Sequence, residues 1–294
     1  MSQTVFEPAE VATPQRAVRI AVLGYGAIGQ QLIEAIAHEV APQAAICVVR
    51  RQALPLPPVA QTPLAVCTDV QALLAWQPDL VVECAGHAAV SQYVVPLLAQ
   101  GVDAIVASVG ALADAPLHGL LLQHAHVSGA LLRTVSGAIG GLDALAAAAP
   151  AGLDWVRYTG RKPPLAWQGT PAAQGRDLTQ LRQAETIYTG SARAAALAYP
   201  KNANVAAAVA LAGIGFERTE VQLVADPEVQ TNVHELEAQG AFGRLHLRIA
   251  NEALPSNPKS SWLAALSLTQ ELRRLLELKR HRSPALQQPP HCCG

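Results

Sequence analysis

Three features of this sequence carry side chains or backbone able to do chemistry. They are the glycines Gly24, Gly26 and Gly29, a histidine at 234 beside Asn232, Glu235 and Glu237, and four cations next to turn-forming residues. The glycines have the most specific context. Val18 to Leu23 (VRIAVL) is a short β-branched apolar run that leads straight into Gly24-Tyr25-Gly26-Ala27-Ile28-Gly29. QQLIEAIAHEV then continues at helical spacing, and a second strand is predicted at Ala45 to Val49, so the glycines sit inside a βαβ unit. The first glycine permits the tight turn, the second lets backbone approach a pyrophosphate, and the third lets helix and strand pack closely. The helix N-terminus then faces the phosphates, so Gly24, Gly26, Ala27, Ile28 and Gly29 are expected to bind a dinucleotide.

The end of the second strand reads the ribose. An acid about 20 positions beyond the glycines would hold the 2′-hydroxyl, yet this chain has Val48-Val49-Arg50-Arg51. Two guanidiniums and no acid suit a 2′-phosphate, so Arg50 and Arg51 favour NADP over NAD.

The elements that must position these groups alternate strand and helix. LVVE (80 to 83) follows a Pro-Asp turn, a helix is predicted over Ala89 to Gln100, and AIVAS (104 to 108) gives another strand. The expected class is α/β, a Rossmann-type doubly wound parallel sheet over 17–135. Small residues crowd the strand ends at Cys84-Ala85-Gly86-His87 and Ser108-Val109-Gly110-Ala111, where ligands lie in such sheets, so both loops should line the nicotinamide side. His87 reads as a rim contact rather than a catalyst. From about Leu131 the rhythm changes, and strands are predicted at Trp155 to Thr159, Thr186 to Thr189, Glu220 to Ala225 and Gly243 to Ala250 with helices between. This is a second α/β unit for substrate and dimerisation over 136–259, followed by a helix over 260–280 that returns to the first unit. The basic end of that helix (Arg273, Arg274, Lys279, Arg280, Arg282) reads as a solvated face. Residues 1–16 read as a disordered lead-in and 281–294 as a flexible tail.

Composition narrows the partners. Among 294 residues, 21 Lys and Arg oppose 22 Asp and Glu, and charged residues make up only 15%, so no field exists to gather nucleic acid or an anionic membrane. Hydrophobic residues reach 51% with only 4% aromatic, which suits a core of Ala, Val, Leu and Ile. The five cysteines (Cys47, Cys67, Cys84, Cys292, Cys293) form no CxxC signature, and a cytoplasmic setting is expected. His291, Cys292 and Cys293 cannot complete a tetrahedral site alone, so no metal is expected. No run approaches the roughly 20 apolar residues of a membrane span.

Seven stretches carry a resemblance. ECAGH (83 to 87), SVGAL (108 to 112), SGAIGGLDALAAA (136 to 148), YTGRKPP (158 to 164), YPKNANVAA (199 to 207), NVHELEAQGAFG (232 to 243) and NPKSS (257 to 261) together resemble the L-aspartate dehydrogenase family, over about 18–278. The resemblance implies oxidation of L-aspartate with NAD(P) to iminoaspartate, which hydrolyses to oxaloacetate and ammonia. In some organisms that imine feeds NAD biosynthesis. It also implies that His234 is the catalytic histidine, that Ala138 and Asn204 contact the dinucleotide, and that the protein is a homodimer. Two other readings compete: a two-domain reductase of another amino or imino acid, and a catalytically silent dinucleotide sensor.

The chemistry has its own logic. Hydride leaves the Cα of an amino acid only when nitrogen offers its lone pair, so a group titrating near neutrality should relieve the ammonium of a proton, and His234 is expected to do so. A dicarboxylate also demands cations. Arg161, Lys162, Lys201 and Lys259 stand in predicted loops, with Lys201 and Lys259 ranked first as substrate-binding because they sit within matched motifs.

Overall fold

The computed structural model describes residues 16–200 and 202–282. Lys201, the lead-in over 1–15 and the segment holding His291, Cys292 and Cys293 lie outside the described residues.

The first unit builds a six-stranded parallel sheet in the order β3-β2-β1-β4-β5-β6. Its strands are β1 (Arg19–Leu23), β2 (Ala45–Val49), β3 (Leu64–Cys67), β4 (Leu80–Glu83), β5 (Asp103–Val106) and β6 (Leu132–Thr134). This is the strand order of the doubly wound dinucleotide fold. β1, β2, β4 and β5 are almost wholly buried, which is why they read as unbroken apolar runs. Between them run α1 (Ala27–Ala35), α2 (Val70–Ala75), α3 (His87–Ala89), α4 (Val95–Ala99) and α5 (Ala115–Ser128). Local signals set the ends: Asp69 accepts a hydrogen bond from the Ala72 amide to start α2, Asp114 accepts one from Leu117 to start α5, and Gly129 ends α5 in the left-handed region at φ +74°. The helix predicted over Ala89 to Gln100 is present but interrupted, because Val90–Val94 adopts a π-turn. β3 has no counterpart in the sequence reading. It brings Cys67 beside Cys47 of β2, thiol to thiol at 3.3 Å.

The second unit is a five-stranded mixed sheet in the order β11-β10-β7-β9-β8. Its strands are β7 (Leu153–Lys162), β8 (Glu185–Ser191), β9 (Thr219–Ala225), β10 (Val233–Gly240) and β11 (Gly243–Ala250). β7 and β9 run parallel, and the other pairs are antiparallel. Helices α6 (Leu142–Ala148), α7 (Ala192–Ala198) and α8 (Asn204–Ala212) accompany it, and α8 buries Val205, Val209 and every alanine from 206 to 210. Small side chains let that helix lie close to its neighbours, so the alanine-rich composition still makes a dense core.

A short hairpin, β12 (Ala253–Leu254) with β13 (Asn257–Ser261), leads into α9 (Trp262–Arg282). That helix returns to the first unit, burying Leu268, Leu272, Leu275 and Leu276. The expected solvated basic face is instead partly spent on docking. Lys279 pairs with Asp103 at 2.6 Å and Arg273 with Glu39 at 2.8 Å, while Arg133 of β6 reaches back to Glu271 at 2.7 Å.

Candidate active site

At the glycine turn, Gly24 holds φ +98°, a backbone conformation that side chains resist. At Gly29 an added Cβ would collide with the Gly24 carbonyl oxygen, so that glycine sets the close packing of α1 on β1. Gly26 differs: an added Cβ would meet nothing within 4 Å, and as the N-cap of α1 it brings no capping side chain. Open space beside unclaimed helix amides is what a pyrophosphate requires, so the residues present fit a dinucleotide. Arg50 follows β2 directly, its guanidinium 5.9 Å from the ring centroid of Tyr25 in the turn, and Arg51 next to it is exposed. No acid occupies either position.

The two strand-end loops of the crevice are tied together by one fully buried carboxylate. Glu83 accepts hydrogen bonds from the amides of Ala85, Gly86 and Ser108 and from the Ser108 hydroxyl, all between 2.8 and 2.9 Å. The sequence reading quoted ECAGH without assigning Glu83 this task. Asn204, first residue of α8, accepts from the Gly110 amide at 3.0 Å and stands 3.4 Å from His87 Nε2, so it joins the second unit to both loops. His87 is thus a rim contact here.

A cleft of about 150 Å³ lies where the units meet. Ile28, Ala138, Asn204, His234 and Lys259 line it, five residues singled out from five separate stretches of sequence. Ala138 is buried and its carbonyl accepts from Asn251 Nδ2 at 3.0 Å, which fixes that loop. Lys259 is otherwise exposed, on β13. Arg50 and Arg51 do not line this cleft; they stand beside the glycine turn. A larger depression of about 930 Å³ lies elsewhere, between α1, α6, α8 and α9; of the acids lining it, Glu39 and Glu271 are paired with Arg273 and Arg133.

His234 stands on β10, opposite Gly160 of β7. It is 4% exposed, its Nδ1 lies 2.7 Å from the Tyr158 hydroxyl, and its Nε2 has no partner among the described residues. Burial first, and then the nearby Lys162 charge, pull its pKa down to about 3. The expectation of a group titrating near neutrality is therefore not met by His234, which is a neutral imidazole in this state. Burial pushes the Tyr158 hydroxyl well above the usual phenol range, so it too is neutral.

The cations sort differently from their sequence ranking. Arg161 and Lys162 end strand β7 rather than occupying a loop. Arg161 faces away, between Asp226 and Glu235. Lys162 lines the cleft, 9% exposed, with its ammonium donating to Asn202 Oδ1 at 2.7 Å. Burial lowers its pKa to about 8. Lys162 was weighed but ranked below Lys201 and Lys259, and Tyr158 and Asn202 were not singled out. The usable signal was the two-residue period in Tyr158-Thr159-Gly160-Arg161-Lys162, which puts Tyr158, Gly160 and Lys162 on one face of a strand.

Comparison with known proteins agrees with this geometry. Residues 143–275 match the family model "Aspartate dehydrogenase, C-terminal", and residues 24–134 match "Homoserine dehydrogenase, NAD binding domain". An L-aspartate dehydrogenase from Ralstonia nicotianae is 45% identical, covering 87% of this chain and 96% of its own length. One from Ruegeria pomeroyi is 47% identical over 87% of this chain and 92% of its own length. The crystal structure of aspartate dehydrogenase from Thermotoga maritima superposes with a TM-score of 0.69 at 26% identity, covering 91% of this chain and 98% of that one. With a doubly wound NAD-binding sheet, a second mixed sheet carrying His234, and relatives of this identity over nearly their whole length, the chain belongs to the L-aspartate dehydrogenase family.

Proposed function

We propose that this chain oxidises L-aspartate to iminoaspartate, which hydrolyses to oxaloacetate and ammonia, and runs the reverse amination, with NADP preferred over NAD. The observation that carries this reading is the cleft that His234, whose Nε2 has no partner among the described residues, lines together with Ile28 of the glycine turn and with Lys162 and Lys259. Bound there, the nicotinamide supplies the hydride acceptor. Ile28, Ala138 and Asn204 border it, Gly26 leaves room for the phosphates, and His234 contacts the substrate. The exposed cation Lys259 at the cleft suits a substrate carboxylate. The NADP preference rests on Arg50 and Arg51 standing where an acid would hold a ribose hydroxyl.

We place the division between the units near residue 135. The working form is a homodimer, supported by the exposed Trp262 and Leu266 along α9 and by β11, an edge strand hydrogen-bonded on one side only. Free thiols at Cys47, Cys67 and Cys84 support a reducing, cytoplasmic setting. The test follows nicotinamide absorbance with oxaloacetate and ammonium, NADPH and NADH side by side, and L-aspartate with NADP in reverse. Ammonium-dependent oxidation, faster with NADPH, is the expected result. Light scattering on the same sample gives the mass of one chain or two.

A further inference from the structure

Resting on the aspartate reading, the hydrogen bonds of the cleft assign the proton-transfer step to a residue other than the histidine. Tyr158, Gly160 and Lys162 alternate along one face of β7, and His234 of β10 stands opposite the middle of the three. Gly160 is what lets the tyrosine reach across. A Cβ there would lie 2.7 Å from the Tyr158 oxygen. The two ring planes are within 20° of parallel with their centroids 5.9 Å apart, and the hydroxyl lies 2.7 Å from His234 Nδ1.

Hydrogen-bond accounting then fixes the tautomer. Among the described residues, the fully buried Tyr158 hydroxyl has His234 Nδ1 as its sole partner, so its proton is satisfied only by donation to that nitrogen. A neutral imidazole that accepts at Nδ1 carries its own proton on Nε2. Nε2, the ring nitrogen without a partner among the described residues, is therefore a donor, with no lone pair to offer a substrate ammonium. Protonating such a ring would have to occur at Nδ1 and would break the bond from Tyr158.

Lys162 is the other titratable group turned into the cleft from β7. Its Nζ has a neutral acceptor, Asn202, and no carboxylate partner among the described residues; the Trp167 ring centroid lies 5.5 Å away. The charged and titratable groups around it are the neutral His234 on β10 and the cation Lys259 on β13. Asp226, after β9, is engaged by Arg161 on the far face of β7. None of these stabilises an ammonium, and burial adds to the same effect.

We infer that Lys162 is the base that takes the proton from the substrate's α-ammonium, while His234, held by Tyr158, donates its Nε2–H to a substrate oxygen. The proton passes from substrate nitrogen to Lys162 Nζ. The freed nitrogen lone pair forms the C=N bond as the Cα–H bond breaks, and the hydrogen leaves with its electron pair to the oxidised dinucleotide, which is reduced. Water then adds to the iminium carbon, ammonium departs, and Lys162 gives up its proton to solvent. Tyr158 is a positioning residue in this scheme.

The experiment combines kinetics with a measurement on the protein alone. Lys162→Arg keeps a cation that does not deprotonate at working pH, and its kcat for L-aspartate oxidation should fall by about 10²–10⁴-fold with dinucleotide binding unchanged. In the wild type, kcat/KM should rise with pH through about 8. His234→Gln should keep that limb and Lys162→Arg should lose it. Because truncation tests the same point differently, Lys162→Ala should regain turnover on addition of ethylamine. Without cofactor, ¹⁵N spectra of the histidines should find His234 protonated on Nε2 in the wild type and mixed in Tyr158→Phe. Wild-type turnover and pH profile in Lys162→Arg, or a bare Nε2 on His234, would overturn the assignment. A wild type silent on L-aspartate with either dinucleotide would overturn the substrate reading along with it, whereas an active wild type beside an equally active Lys162→Arg overturns only this inference.

Discussion

The glycine turn of the first sheet and the β7–β10 face of the second are built on opposite plans. At the turn, what a pyrophosphate needs comes from six consecutive residues, and most of it is backbone: a positive φ at Gly24, open space at Gly26 and a close approach at Gly29. On the β7–β10 face the parts are side chains drawn from positions far apart. Tyr158 and His234 are 76 residues distant in sequence, and Lys162 and Asn202 are 40. The first site is specified by omission, since glycine supplies room and conformational freedom. The second is specified by strand register, since a slip of one residue would turn Tyr158 and Lys162 to the other face. One design tolerates variation around it, and the other depends on the whole sheet forming correctly.

The sharpest way to break that contrast is at His234. Its replacement by alanine removes one preorganised donor, and kcat/KM should fall by about 10²–10³-fold, while dinucleotide affinity, measured by fluorescence titration, stays within about threefold because the turn is untouched. Equal loss of both would mean that the two regions are one unit. Next in size, Arg50→Asp with Arg51→Ala should weaken NADP by about 10–100-fold through lost charge-assisted bonds. NAD should be left nearly unchanged, and the ratio of the two dissociation constants is the readout. The glycines then discriminate within the turn. Gly29→Ala should lower stability by about 1–3 kcal/mol in urea unfolding, since its Cβ meets backbone. Gly26→Val should instead keep its unfolding midpoint and lose dinucleotide affinity, because its Cβ enters open space.

A further effect concerns pH. His234 has a folded pKa of about 3 against an ordinary 6.5, so between those values the unfolded chain takes up a proton that the native one refuses. Stability therefore falls as pH drops through that window, with a slope of up to about 1.4 kcal/mol per pH unit. His234→Gln should flatten the urea midpoint against pH between 6.5 and 4.5.

Much of the first region was legible from residues alone. VRIAVL, the glycines and QQLIEAIAHEV form a contiguous pattern whose meaning depends on neighbours in the chain. The same holds for the Arg50-Arg51 pair, which is placed by counting from the turn. His234, singled out from the sequence, lines the cleft, but its low pKa was not expected. Nothing in NVHELEAQG reports that strand β10 buries the ring or that a lysine from another strand stands near it. Lys162 was placed in a loop like the other cations and ranked behind Lys201 and Lys259 on their motifs, whereas the chain keeps strand pairing up to Lys162 before Pro163 ends it. Basic residues on the last helix were read as solvated for a related reason. An isolated helix shows no acids on another element, and Asp103 and Glu39 belong to other elements.

By itself, then, the sequence determined the βαβ dinucleotide turn, the alternation that makes an α/β chain, and the set of chemically able residues. These follow from local rules: side-chain periodicity, glycine's conformational range and charge placed by short counting. Only the tertiary structure decided which able residues work together. Register across β7 and β10 brought Tyr158 to His234, burial set the protonation of His234 and Lys162, and Asp226 drew Arg161 to the far face of the sheet. Burial and cross-strand pairing are properties of the packed chain, and a side chain's protonation and partner follow from them.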